Sequence, residues 1–131
     1  MVAGMNDQSV LRRAVQLDAV VSGAFGLVLL VAGPFLVEVL GAPLTVLWPV
    51  AVVCLGYAAA LWLVQSRPRI STGAAWSIVA LNLVWAAASV VLVVLGWLPL
   101  TALGVGFVIL QAVVVAALAD AQFVGLRRAV A

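Results

Sequence analysis

Four long apolar stretches, separated by short polar ones, set the pattern of this chain. They cover about residues 17–37, 44–64, 74–95 and 100–119, and none shows the period-two alternation of a membrane β-strand. A helix of about 20 apolar residues, rising about 1.5 Å per residue, crosses a hydrocarbon core of about 30 Å. The pattern therefore predicts an all-α integral membrane protein, a bundle of four transmembrane helices that forms one domain over residues 1–131.

The polar breaks predict where the chain turns. Residues 41–43 and 96–99 contain glycine and proline, which is typical of turns, and the charged link of residues 65–72 separates two helical hairpins. Pro34 should bend the first helix near its far end, because proline lacks the backbone donor that a helix needs. Gly125 should end the last helix.

The beginning of the chain allows two interpretations. Residues 1–16 predict a short helical lead-in at the membrane surface, with capping side chains at residues 6–9. Alternatively, two arginines ahead of an apolar run resemble a secretory signal, with a weak cleavage pattern at residues 31–33. We favour an uncleaved first span, because the run is longer than a usual signal core and Pro34 follows the cleavage pattern.

Composition excludes a water-soluble globule. The chain is 68% hydrophobic and 8% charged with a mean hydropathy of +1.38, which leaves too little polar surface for 131 residues in water. The single Cys54 has no partner for an intrachain disulfide, and there is no histidine to act as a base or metal ligand. We therefore predict a protein that is not an enzyme and holds no metal or cofactor. The alternative, a membrane enzyme, would need a pocket that joins Asp18, Asp120 and Arg67.

The basic residues are six arginines in three pairs. Four crossings would place all of them on one face of the membrane and leave Glu38 on the other, so the positive-inside rule puts both termini in the cytoplasm. Separate pairs suit anionic lipid headgroups better than nucleic acid, which prefers a continuous basic face. The pairs are Arg12 and Arg13, Arg67 and Arg69, and Arg127 and Arg128.

Polar side chains within the spans are the candidate binding residues. Asn82 and Gln111 are predicted near the bilayer midplane, where they can bond each other across the third and fourth helices, and Tyr57 lies at similar depth. Trp85 shares a helical face with Asn82. These four residues predict a layer that binds the polar group of a lipid or small amphiphile. The more common role is hydrogen bonding between helices, worth about 0.6 kcal/mol per pair, with Trp85 filling space against the small first helix.

Two acidic residues are predicted at the cytoplasmic boundary. Asp18 suits a helix N-terminus, whereas Asp120 lies at the unfavourable end of the helix dipole and needs a cation such as Arg13, Arg67 or Arg127. Such a pair would fasten the helix ends together.

The two hairpins share a short sequence pattern. Residues 43–47 read Pro-Leu-Thr-Val-Leu and residues 99–103 read Pro-Leu-Thr-Ala-Leu, and each opens an even-numbered span. A parallel 2+2 repeat is one explanation, and chance in so restricted an alphabet is the other.

Two families invite comparison. Small multidrug-resistance exporters have a similar length and number of spans, but they rely on a membrane-embedded glutamate in the first helix, and residues 19–35 contain no carboxylate. The chain more closely resembles the small four-helix integral membrane proteins of bacteria with GC-rich genomes, actinobacteria among them, for which no activity is established. The residues that carry this resemblance are Leu17-Asp18, Asn82-Leu83-Val84-Trp85, Gln111-Ala112 and Gly125-Leu126-Arg127-Arg128.

That resemblance implies the bacterial inner membrane and a role beside other proteins. Some proteins of this size and topology look like accessory subunits of lipid importers or respiratory complexes. We therefore expect a non-catalytic subunit that docks on a larger membrane complex or on a second copy, surrounded by membrane lipids. The alternative is a carrier or binder of lipids or amphiphiles, which a continuous cavity reaching the four polar-layer residues would favour.

Overall fold

The computed structural model describes residues 8–130 of the chain, in which every regular element is helical and no strand occurs. All four helices are long and apolar enough to cross a membrane, which confirms the predicted all-α fold of four helices of spanning length. The elements are α1 (Ser9–Leu36), which continues as a π-helical turn (Val37–Gly41), then α2 (Leu44–Ser66), α3 (Thr72–Leu95) and α4 (Ala102–Val130).

The start of α1 differs from the predicted surface lead-in. The helix begins at Ser9 and runs without a break through the first predicted span. Its first turns are held in the bundle, because Leu11 and Val15 are buried in one core cluster with Leu126 of α4. Gln8 precedes the helix without capping it, while Asn6 and Asp7 lie outside the described residues.

The end of α4 also differs from the prediction, because Gly125 lies inside the helix and does not end it. A Cβ atom at Gly125 would lie 2.6 Å from the backbone nitrogen of Leu11, so the backbones of α1 and α4 meet here. The glycine is therefore a packing residue, of the kind that lets membrane helices approach closely.

The four helices form a ring with one open side. Helix α1 packs against α2 and α4, and α4 packs against α3, whereas the backbones of α2 and α3 stay apart over their full described lengths. We call the contact between α1 and α4 the tight seam and the gap between α2 and α3 the open seam. The small face of α1 meets α2, since a Cβ at Gly26 would lie 2.9 Å from the Ala51 carbonyl oxygen. The sequence predicted that Trp85 would fill that face, but residues of α2 fill it instead.

The π-helical turn joins the end of α1 to the start of α4. Thr101 donates its hydroxyl to the Val39 carbonyl at 2.6 Å and its backbone N–H to the Leu40 carbonyl at 3.0 Å. The same hydroxyl accepts the Gly104 N–H at 3.0 Å, which caps the first turn of α4. The chain stays helical past Pro34 and turns only after Gly41, whose φ of +76° favours glycine.

At the opposite end of the bundle, the start of α1 holds the link between α2 and α3. The Gln8 side chain donates to the Ile70 carbonyl at 2.9 Å and accepts the Ile70 N–H at 2.8 Å. The Arg12 guanidinium donates to three backbone carbonyl oxygens, those of Gln65, Arg67 and Pro68. Since the backbones of α2 and α3 stay apart, these contacts set the distance between them at this end.

The expected fastening by Asp120 takes a different form. Asp120 is exposed, and within residues 8–130 it makes no ion pair with Arg13, Arg67 or Arg127. Arg12 fastens the helix ends instead, through neutral carbonyl groups. The sequence could not reveal this contact in advance, because the backbone carbonyls at the end of any helix accept hydrogen bonds whatever its residues are.

Candidate functional site

One polar residue from each helix, with one more from α1, forms a cluster inside the bundle; we call Asp18, Ser22, Tyr57, Asn82 and Gln122 the polar cluster. The Asn82 amide donates to Asp18 Oδ2 at 2.7 Å and to Gln122 Oε1 at 2.8 Å. The Gln122 amide donates to the same Asp18 oxygen at 2.7 Å. Ser22 donates to Asp18 Oδ1 at 3.1 Å and Tyr57 donates to Asn82 Oδ1 at 2.9 Å. The side chains of all four helices are thus joined at one level.

The centre of the polar cluster is closed to solvent. Asp18 is 1% exposed, Asn82 3% and Gln122 0%, and no buried side-chain polar atom of the described chain lacks a partner. Asp18 accepts three hydrogen bonds from neutral donors, and within residues 8–130 it pairs with no arginine. Two amide N–H groups and a hydroxyl stabilise a carboxylate by hydrogen bonding alone.

Asp18 lies deeper than the sequence indicated. Because α1 begins at Ser9, Asp18 is nine residues inside the helix, about 13 Å from its start. The predicted span began at residue 17 and so placed this carboxylate at the membrane boundary. In the structure it touches Asn82, which was predicted near the midplane.

A second group of polar residues lies farther along the bundle. Trp85 donates its indole N–H to Gln111 Oε1 at 2.9 Å, and the Gln111 amide donates to Ser89 Oγ at 2.9 Å. Gln111 therefore joins α4 to α3, as expected, but its partner is Trp85 and Ser89 and not Asn82. The predicted bond between Asn82 and Gln111 is absent because each residue belongs to a different level of the bundle.

A cavity in the bundle lies between these two polar groups. Its volume is about 350 Å³, and all four helices contribute to its wall. The wall is almost wholly apolar, with Phe25, Val53, Leu81 and Val115 among its residues. Its polar side chains include all four residues predicted from the sequence, which are Tyr57, Asn82, Trp85 and Gln111.

A smaller cavity of about 240 Å³ adjoins the first on the side of the π-helical turn. The two share Phe25, Trp85, Phe107 and Gln111 as wall residues. Phe25 and Phe107 are stacked, with ring centroids 5.4 Å apart and an angle of 14° between the planes. The two cavities therefore lie end to end with these residues between them, and the polar cluster lies beside the larger one.

Gln122 is the buried polar residue that the sequence reasoning missed. The hydropathy pattern ended the fourth span at residue 119, which placed Gln122 outside the membrane. The missed signal is spacing: Gln122 follows Gln111 by 11 residues, which is three helical turns and hence the same face of α4. About 16 Å of helix separates them, so one face of α4 serves both polar groups.

The arginines lie together at the end of the bundle that carries the α2–α3 link. Arg12 is partly buried, and the other five are exposed. The Arg127 guanidinium lies 5.7 Å from the centre of the Phe123 ring. The exposed five are Arg13, Arg67, Arg69, Arg127 and Arg128.

Comparison of the chain with protein-family models, with curated proteins and with solved structures finds no match in any of the three. The resemblance to bacterial four-helix membrane proteins therefore stays a prediction, and the site must be interpreted from its own geometry.

Proposed function

We propose that this protein binds a single amphiphilic molecule of the lipid class inside its helical bundle, within a bacterial inner membrane. The observation that carries the proposal is the cavity of about 350 Å³ whose wall contains Tyr57, Asn82, Trp85 and Gln111. Its volume lies in the range of about 300–1,000 Å³ that is typical of small-molecule sites. Its apolar wall suits a hydrocarbon chain, and the polar cluster at one end suits a polar group.

The open seam gives such a molecule a route from the bilayer. Val53 of α2 and Leu81 of α3 both line the cavity, and each is 55% exposed, so the cavity wall on this side is accessible from outside the helix backbones. In a membrane that outer surface faces acyl chains. An amphiphile can therefore enter sideways between α2 and α3 without leaving the hydrocarbon phase.

The cavity favours a binder over the docking subunit expected from the sequence, because it reaches all four of the predicted polar-layer residues. The third alternative, a membrane enzyme, needed a pocket that joins Asp18, Asp120 and Arg67. Neither of the two cavities is lined by any of these three residues. Asp18 is enclosed in the polar cluster, while Asp120 and Arg67 are exposed.

The orientation of the bundle is part of the proposal. The start of α1, the α2–α3 link and the end of α4 lie together, since Arg12 contacts the link and Gly125 meets Leu11. All six arginines lie at that end, and exposed Glu38 lies at the other. The positive-inside rule supports placing the arginine end, with both termini, in the cytoplasm. The 2+2 repeat stays a prediction.

Quenching of Trp85 by brominated amphiphiles tests the proposal. Trp85 lines the cavity, so we would replace the other four tryptophans with phenylalanine and reconstitute the protein in phosphatidylcholine nanodiscs. A long-chain alcohol brominated on its chain should quench Trp85 in a saturable way. A variant that keeps Trp62 alone, which is 51% exposed, reports the concentration of the same probe in the bilayer.

A matched pair of cavity variants decides the result. Val115 lines the cavity, whereas Val113 is 60% exposed and does not. Val115→Phe should abolish the saturable quenching, and Val113→Phe should leave it unchanged. Quenching of Trp85 that never saturates, or that Val115→Phe does not reduce, would contradict the proposal.

A further inference from the structure

The hydroxyl groups on the cavity wall have lone pairs to offer a ligand and no free hydrogens. Ser22 donates its hydrogen to Asp18, and Tyr57 donates its hydrogen to Asn82. Each hydroxyl donates once and can still accept. A ligand group that meets either oxygen must therefore bring the hydrogen itself.

The amide groups on the wall follow the same rule. Both amide hydrogens of Asn82 are used within the polar cluster, on Asp18 and Gln122. Those of Gln111 are used on Ser89 and on the Val108 carbonyl, at 2.9 and 2.8 Å. The carbonyl oxygen of each amide accepts one hydrogen bond and has room for a second. Apart from the weak S–H donor of Cys54, the wall therefore accepts hydrogen bonds and does not donate them.

The carboxyl group of Asp18 lies directly behind this wall. Asp18 is 1% exposed and touches Ser22 at 3.1 Å, so one hydroxyl separates its carboxylate from the cavity. Its hydrogen-bond partners are neutral, and the arginines of the described chain lie at the end of the bundle or, for Arg12, on the link carbonyls. A carboxylate in apolar surroundings with no cation nearby raises the affinity of the adjacent space for positive charge.

From these two observations we infer that the amphiphile carries an amine in its protonated form. This inference rests on the proposed binding function and names the chemical class of the ligand. The ammonium group donates hydrogen bonds to Ser22 and Tyr57. Only the Ser22 hydroxyl then separates its charge from the Asp18 carboxyl group. The hydrocarbon part extends past Trp85 along the apolar wall. Amphiphiles whose polar group only accepts hydrogen bonds, such as esters and carboxylates, bind more weakly.

The test compares three probes of equal chain length and equal bromine position: a primary amine, an alcohol and a methyl ester. Each is titrated against the protein that keeps Trp85 alone, and half-quenching concentrations are corrected with the protein that keeps Trp62 alone. We expect the amine to bind on the order of tenfold more tightly than the alcohol. The ester should bind more weakly than the alcohol, because it brings no hydrogen.

Asp18→Asn separates charge from hydrogen bonding. The substitution keeps the shape of the side chain, its carbonyl oxygen can accept from Asn82 and Gln122, and its amide can donate to Ser22, whose hydroxyl turns to accept. The amine should lose its tenfold advantage over the alcohol in this variant, because the charge behind the wall is gone. The thermal unfolding midpoint checks that the variant is folded. If it is not, the three-probe series on the Trp85 protein decides alone.

The outcomes distinguish the two proposals. An amine that binds no better than the alcohol, while Val115→Phe still abolishes quenching, overturns the amine specificity and leaves the binding function standing. An unchanged amine advantage in folded Asp18→Asn also overturns it, because the charge behind the wall would then have no effect. Probes that fail to quench Trp85 in any form overturn the binding function and the specificity together.

Discussion

The tight seam and the open seam show two ways in which membrane helices can be neighbours. At the tight seam, Gly125 of α4 lies against the backbone of Leu11 in α1. At the open seam the backbones stay apart, and the Tyr57 side chain reaches from α2 to Asn82 of α3. Small residues alone do not explain the difference, since a Cβ at Gly56 of α2 would meet nothing within 4 Å. A glycine makes a tight seam only where a neighbouring backbone lies opposite it, and bulky side chains keep the other seam open.

The largest effect should come from forcing the tight seam apart. Gly125→Val would force α1 and α4 apart, because even a Cβ at this position lies 2.6 Å from the Leu11 nitrogen. We expect the free energy of unfolding to fall by about 3 kcal/mol, the upper range for overpacking. Unfolding by SDS in mixed micelles, followed by circular dichroism, measures it.

The matched control is Gly56→Val, on a helix face where the added atoms meet no neighbour. Its effect should stay within about 0.5 kcal/mol. Similar losses at Gly125 and Gly56 would show that α1 and α4 are not in backbone contact.

The polar cluster crosses both seams, so Asn82→Leu should have the next largest effect. It removes two donors and one acceptor and leaves Asp18 and Gln122 buried with fewer partners. We expect a loss of about 2 kcal/mol in the free energy of unfolding. Gln111→Leu serves as the comparison, with an expected loss of about 1.2 kcal/mol, which is about 0.6 kcal/mol for each of its two bonds to α3. If Asn82→Leu lowers the free energy of unfolding no more than Gln111→Leu does, the polar cluster does not stabilise the bundle as proposed.

The open seam depends on the link that Arg12 holds. Arg12→Met keeps the apolar stem and removes the donors to the link carbonyls, and we expect it to lower the free energy of unfolding by about 1 kcal/mol. Protease cleavage within residues 67–71 should become faster at the same time. Arg13→Met, at an exposed neighbouring position, is the control. Equal cleavage rates in the two variants would show that Arg12 does not hold the link in place.

The smallest effect should come from the bond across the open seam. Tyr57→Phe removes one hydroxyl and its hydrogen bond to Asn82, worth about 0.6 kcal/mol in membrane helices. Ser77→Ala also removes one hydroxyl, but one that bonds the Gly73 carbonyl within α3. The difference between the two variants in mixed-micelle unfolding isolates the contact between helices. A difference of zero would mean that Tyr57 does not bridge the seam.

Hydropathy was enough to predict the four helices, because lipid requires every crossing to be long and apolar. It was less reliable at the chain ends, where α1 starts at Ser9 and α4 runs past Gly125. In both places polar residues continue a helix whose inner face is still packed. A hydropathy window averages over all faces of a helix and cannot detect that.

The four residues of the predicted polar layer all lie inside the bundle, but the hydrogen bond predicted between Asn82 and Gln111 does not form. Position along a span gives an approximate depth, whereas partners depend on the rotation and axial offset of each helix. Those offsets place Asn82 beside Asp18 and Gln122, and Gln111 beside Trp85. They follow from close contacts such as Gly26 against Ala51, which one sequence does not disclose. The cavity is still less predictable, because it is the space that imperfect packing leaves.

The polar cluster also constrains how the chain is assembled. The carboxyl group of Asp18 is on α1, while two of its three donors, Asn82 and Gln122, are on α3 and α4. Within the first hairpin it has only Ser22 of its own helix as a partner. The hydrogen-bond set of this acid is therefore complete only when the two hairpins are packed together, so neither hairpin can satisfy it alone.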